Sequence, residues 1–86
     1  MFDLNERWAL HPQVALRPES FGALLYHFGT RKLSFLKSRA MVEIVRSLPD
    51  HSSALAALQA AGVNDVDAYT AALEKLADSH MLVRAS

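Results

Sequence analysis

The strongest constraint on this chain is the segregation of its residue types along its length. Six of its seven aromatic residues lie within the first 35 positions, whereas ten of its fourteen alanines lie from Ala54 onward. Aromatic and β-branched side chains suit a pleated, half-buried surface, and alanine is the best helix former. Strands are therefore expected first and helices second. With 86 residues, 51% of them hydrophobic, and a net charge of zero, one small folded domain is expected, not a disordered segment.

The pattern along the chain sharpens this division. Residues 1–13 end in His11-Pro12-Gln13 and read as an N-terminal arm or a short lead-in strand, with a single domain over 14–86. Val14 to Arg17 alternates in period two and stops at the turn signal Pro18-Glu19-Ser20. Phe21 to Phe28 forms a second extended run, and Gly29-Thr30-Arg31 is a hairpin connection to Lys32-Leu33-Ser34-Phe35-Leu36. Leu33 and Phe35 share one face of that third strand and are expected to be core. Ser38 then caps a helix whose Met41, Ile44, Val45 and Leu48 form an i, i+3, i+4, i+7 stripe ending at Pro49. Ser52 or Ser53 caps an alanine-rich second helix, and Gly62 ends it in a left-handed cap with Val63 folding back. Asn64 is expected to cap the third helix, with Val66, Tyr69, Leu73, Leu76 and His80 on one face, and Met81 to Val83 is a candidate final strand. The fold class expected is α+β and winged-helix-like, a three-stranded antiparallel sheet followed by a three-helix cluster.

Few residues offer chemistry. Without cysteine there is no disulfide, zinc finger, iron–sulfur ligation or thiol catalysis. The four histidines, His11, His27, His51 and His80, have no metal-ligand spacing, and are expected to be surface or half-buried imidazoles. No Gly-x-Ser-x-Gly elbow is present, and Gly22, Gly29 and Gly62 are too scattered to cradle a phosphate. A non-enzyme with no cofactor and no metal is expected. No signal peptide and no run of 18 apolar residues appears, so a cytoplasmic protein without a membrane span is expected.

Two binding functions remain. Helix two, the Gly62 turn and helix three could form a helix-turn-helix, and a small winged-helix nucleic-acid-binding domain is the alternative reading. Its recognition segment would carry Asp65, Asp67, Glu74 and Asp78 against Lys75 alone, which repels phosphate. The basic residues cluster instead at Arg31, Lys32, Lys37, Arg39 and Arg46. They form either a partner site or a solvated face with an Arg39–Glu43 or Glu43–Arg46 pair. The third strand comes last in the meander and is a candidate edge for β-augmentation by an extended peptide, with helix three as a wall. Small Ala68 and Ala72 would leave room there beside Tyr69. The opposing reading is a short edge guarded by Lys32 and Lys37.

Two stretches decide between these readings: Arg17-Pro-Glu-Ser-Phe-Gly-Ala-Leu24 and Tyr26-His-Phe-Gly-Thr-Arg31. Within the run Val14–Ser38 they resemble the MftB family of mycofactocin biosynthesis chaperones, which belong to the PqqD-like recognition domains for ribosomally made, modified peptides. The likeness extends over almost the whole chain. It implies a non-catalytic protein that grips the leader of an MftA-like precursor peptide and presents its C-terminal end to an MftC-like radical S-adenosylmethionine maturase. It places the peptide between the third strand and third helix. On this sequence those positions are Lys32, Leu33, Ser34, Phe35 and Leu36 with Tyr69, Ala72, Leu73 and Leu76. An acidic leader would suit Arg31, Lys32 and Lys37. Nucleic acid and membrane are not expected partners.

Overall fold

Helix boundaries in the computed structural model, which describes residues 2–85, follow the side chains able to hold free backbone amides. Ser38 Oγ accepts the Met41 N–H (3.1 Å) at the start of α1 (Arg39–Ser47). Pro49 lies in the 3-10 turn Leu48–Asp50 that follows. Ser53 Oγ accepts the Ala56 N–H (3.1 Å) ahead of α2 (Ala54–Ala61). Gly62 closes α2 at φ 68°, and the Val63 N–H reaches back to the Leu58 carbonyl (3.5 Å), a Schellman-type ending that satisfies otherwise orphaned carbonyls. The cap of α3 (Val66–Asp78) is Asp65, whose Oδ1 accepts the Ala68 N–H (3.1 Å), not Asn64. An acidic group there also suits the positive end of the helix dipole. His80 is likewise not on the helix face. It follows the end of α3, adopts φ 64° and is exposed.

The expected meander is present as β2 (Val14–Glu19), β3 (Gly22–His27) and β4 (Lys32–Leu36), antiparallel in the order β2-β3-β4. It is not the whole of the strand content. Trp8–Leu10 (β1) pairs antiparallel with Leu82–Arg84 (β5), in a second, two-stranded sheet that joins the first strand to the last. The arm-or-strand segment 1–13 is thus tied into the fold along most of its described length. The Leu4 and Glu6 carbonyls accept the Leu55 and Ala54 amides at the start of α2 (3.0 and 2.9 Å), and the Trp8 indole N–H donates to the Asp3 carbonyl (2.8 Å). The expected three-strand sheet followed by helices therefore becomes five strands in two antiparallel sheets, with three α-helices between the last two strands.

Leu25, Ile44, Val45, Leu48, Leu58 and Leu73 are fully buried in one core with Met81 and Leu82. Truncating any of these leucines to alanine is expected to cost about 2–5 kcal/mol. Leu33 and Phe35 are a correction: they are 55% and 57% exposed, and Leu36 turns inward at 2%. Register explains the inversion. Ala23, Leu25 and His27 on the central strand face the helices, and they pair with Leu36, Ser34 and Lys32. Side chains directly opposite share a face, so Leu33 and Phe35 fall on the outer one. Gly22 holds this register closely, because its φ is 147° and a Cβ there would overlap the Leu36 carbonyl oxygen.

Candidate peptide-binding groove

The open edge of β4 can be assigned atom by atom. Across the β2–β3 pair the Phe28 N–H donates to the Gln13 carbonyl (2.8 Å). Backbone groups alternate in lateral direction along an antiparallel strand, so Leu24 and Tyr26 bond toward β2, and Ala23, Leu25 and His27 bond toward β4. Ser34 and Leu36, opposite Leu25 and Ala23, therefore use their backbone groups inside the sheet. The Lys32 N–H donates to the Thr30 hydroxyl (3.3 Å) within the hairpin. Leu33 and Phe35 direct theirs outward. They form the unpaired face of an edge strand.

Beside that edge runs an open groove of about 420 Å³ between β4, the start of α1 and α3. Leu36, Met41, Ala72 and Leu76 supply its apolar surface, Ser34 a hydroxyl, and Lys37 and Lys75 its charge. It continues along α3 into a shallower recess of about 190 Å³, where Ala68 and Ala72 leave space beside Tyr69. Ala68 and Ala72 stand one helical turn apart on the same face of α3, so the surface there stays low.

The structure brings Ser34, Phe35, Leu36, Lys37, Ala72 and Leu76 together around the groove, with Tyr69 at its extension. It does not place the others there. Leu73 is fully buried and belongs to the core. Leu33 shares the open edge through its backbone but turns its side chain to the outer face. Arg31, at φ 62°, and Lys32 lie at the hairpin end, outside the groove lining. Met41, Ser38 and Lys75 are lining residues that the sequence reading passed over. Met41 and Ser38 already had roles as a core stripe and a cap, which masked a second one. The Arg39–Glu43 or Glu43–Arg46 pair of the alternative, solvated-face reading is not formed; among the described residues the one salt bridge is Arg17–Glu19 (3.2 Å).

One histidine is more deeply buried than the surface or half-buried position expected of it. His27 is 3% exposed on β3, and its Nδ1 accepts the Gly29 and Thr30 amides (3.0 and 3.1 Å), locking the hairpin into β4. Its Nε2 has no hydrogen-bond partner, and the His11 ring lies 4.4 Å away, tilted by 41°. Burial, with the nearby His11 and His80, holds its pKa below the ordinary imidazole value. No group of three or more candidate metal ligands occurs among the described residues, and no described helix is long and apolar enough to cross a membrane.

Comparison with known proteins identifies the family. A family model described as the peptide chaperone MftB family matches residues 7–83. Peptide chaperone MftB of Mycolicibacterium smegmatis is 62% identical over 84 residues, spanning 95% of this chain and 82% of the relative. The proteins of the same name from Mycobacterium ulcerans and Mycobacterium tuberculosis are 61% and 57% identical over 84 residues, each match spanning 95% of this chain and 77% of the relative. No solved structure matches the chain. The family is named for a non-catalytic role, and with most of its length matched the chain belongs to the peptide chaperone MftB family.

Proposed function

We propose that this protein binds the leader of an MftA-like precursor peptide as an added strand on β4. It would then present the peptide's C-terminal end to an MftC-like radical S-adenosylmethionine maturase, in the cytoplasm, through a PqqD-like domain. The observation that carries the reading is the pairing of an open edge at Leu33 and Phe35 with an apolar groove alongside. Backbone hydrogen bonds from the edge give affinity that any extended peptide can use. Pockets for alternate side chains add selectivity, and here the inward-facing ones would meet Leu36, Met41, Ala72 and Leu76. Lys37 and Lys75 on the groove, with Arg31 and Lys32 further along, favour an acidic leader.

Hydrogen exchange tests this directly. Adding precursor peptide should slow exchange at the Leu33 and Phe35 amides, while Ser34 and Leu36, already bonded to β3, change little. Equal protection of all four, or of none, would refute strand addition at this edge.

A further inference from the structure

The meander has a second face, turned away from the helices, that meets the groove only at Phe35 and Lys37. Arg17, Leu24 and Phe35 lie in one row across it, and Ala15, Tyr26 and Leu33 in the next. Phe21, from the β2–β3 turn, packs 5.8 Å from Phe35, and Phe28 meets Tyr26 edge-on at 5.0 Å. Phe21, Phe28, Leu33 and Phe35 are 42%, 62%, 55% and 57% exposed. Exposed apolar side chains gathered on one face in this way often form a functional patch.

We propose that this outer face docks the enzyme to which the peptide is handed, a folded protein offering an apolar patch edged by carboxylates. The identity of that enzyme rests on the function proposed above; the surface itself does not. Charge selects the occupant. On this face Arg17 and Glu19 pair with each other at 3.2 Å, which leaves the net charge to Lys37 and to Arg31 in the hairpin that follows Phe28. A two-fold pairing with a second copy would set this cationic rim against itself, which is disfavoured. The extent also fits: four exposed large apolar side chains are few beside the roughly 20–30 residues a side of a standard stable interface, and suit a partner that must arrive and leave. Position adds a third argument. Phe35 and Lys37 line both the peptide groove and a recess of about 460 Å³ that opens beside Phe21. A protein seated on the outer face therefore abuts a peptide strand paired to β4.

The test uses the full chain carrying Phe28→Ser, Phe21→Ser or Arg17→Glu, with thermal melts to verify folding. Binding to the purified radical S-adenosylmethionine maturase is measured by interferometry, and binding to labelled precursor peptide by fluorescence anisotropy. The proposal expects at least one folded serine variant to bind the maturase tenfold or more weakly with peptide affinity within twofold, and Arg17→Glu to weaken maturase binding mainly at low salt. Unchanged maturase affinity in both serine variants, or no maturase binding by the unmodified protein, would overturn it. So would loss of peptide binding in place of maturase binding, which would give the face to the peptide. A concentration-dependent dimer in sedimentation velocity that Phe28→Ser dissociates would give it to a second copy and overturn it equally. Failure of the β4 peptide site is read separately, from the exchange pattern at Leu33 and Phe35, and leaves the maturase measurement intact.

Discussion

The meander has two edges, and they are built differently. On β2 the residues whose backbone faces outward are Val14, Leu16 and Pro18. Val14 already donates to the His11 carbonyl (2.9 Å), and proline has no N–H, so Leu16 alone offers a donor. On β4 both outward residues, Leu33 and Phe35, keep theirs. Each edge has a hollow beside it, and the one by β2, between Ala9, Leu16, Pro18 and Val45, is the larger at about 470 Å³. Volume therefore does not distinguish the two. What differs is the supply of unpaired backbone donors, which is how natural sheets protect one edge and expose another.

Proline substitution breaks that comparison most severely. Leu33→Pro or Phe35→Pro should leave the protein folded yet weaken precursor binding by roughly 10–100-fold, the worth of one unmade and unsatisfied hydrogen bond. Ser34→Pro should instead disrupt the sheet, visible as a collapsed thermal transition. Leu16→Pro, at the guarded edge, should change peptide affinity less than twofold. Leu33→Ala and Phe35→Ala serve as controls for the side chains. Retained peptide affinity in both edge prolines would mean that the two edges do not differ in function.

Charge is a smaller lever. Lys37→Glu and Lys75→Glu, on the groove, should weaken peptide binding several-fold at low ionic strength and progressively less as salt screens them. Reversals at Arg31 and Lys32, at the hairpin end, should have less effect, and Arg17→Glu on the β2 side should have none on the peptide. A uniform response across all five would point to general attraction instead of a site.

Acid should act through His27, which ties the hairpin into β4. Its folded-state pKa lies below the unfolded value near 6.5, so the unfolded chain takes up the proton first. The stabilisation is complete above about pH 6.5 and is lost as pH falls through that value toward the folded pKa. Melting temperature should therefore decline on acidification, and His27→Asn, which keeps an acceptor for the hairpin amides, should flatten that decline. An unchanged slope in the variant would assign the acid sensitivity elsewhere. The smallest effect is expected from Pro18→Val. Restoring the N–H on β2 should produce weak self-association in sedimentation at high concentration, and its absence would show that the proline is not what guards this edge.

How much of this was legible beforehand depended on how local the signal was. Ser38, Ser53 and Gly62 act within one helical turn of themselves, and their roles could be read from their neighbours. The meander was legible for the same reason, since its turns and alternation are local. Period two divides a strand into two faces without saying which is buried. In β4 the more hydrophobic pair, Leu33 and Phe35, went outward because pairing with β3 put Leu36 and Ser34 opposite Ala23 and Leu25. The β1–β5 pair joins strands of three residues each, separated by most of the chain, and nothing in Trp8–Leu10 announces its partner. At the α3 start, Asn64 and Asp65 are both competent caps, and only the geometry separates them. The groove was legible as a strand beside a helix, but its floor was not, because Met41 and Leu73 lie in the same kind of stripe and only one of them opens onto it.

The pairing of β1 with β5 sets Trp8 opposite Arg84, so the first and last strands enter and leave the fold side by side. A fold whose outer strands pair in this way can be opened elsewhere. Joined by a linker from beyond β5 to the segment ahead of β1, and cut within the exposed Phe28–Arg31 hairpin, a permuted protein would begin at Lys32, the first residue of the edge strand. A precursor leader fused ahead of Lys32 by a short flexible linker would meet β4 at an effective concentration on the order of millimolar. Such a permutant would carry its own client, converting a bimolecular encounter into an intramolecular one.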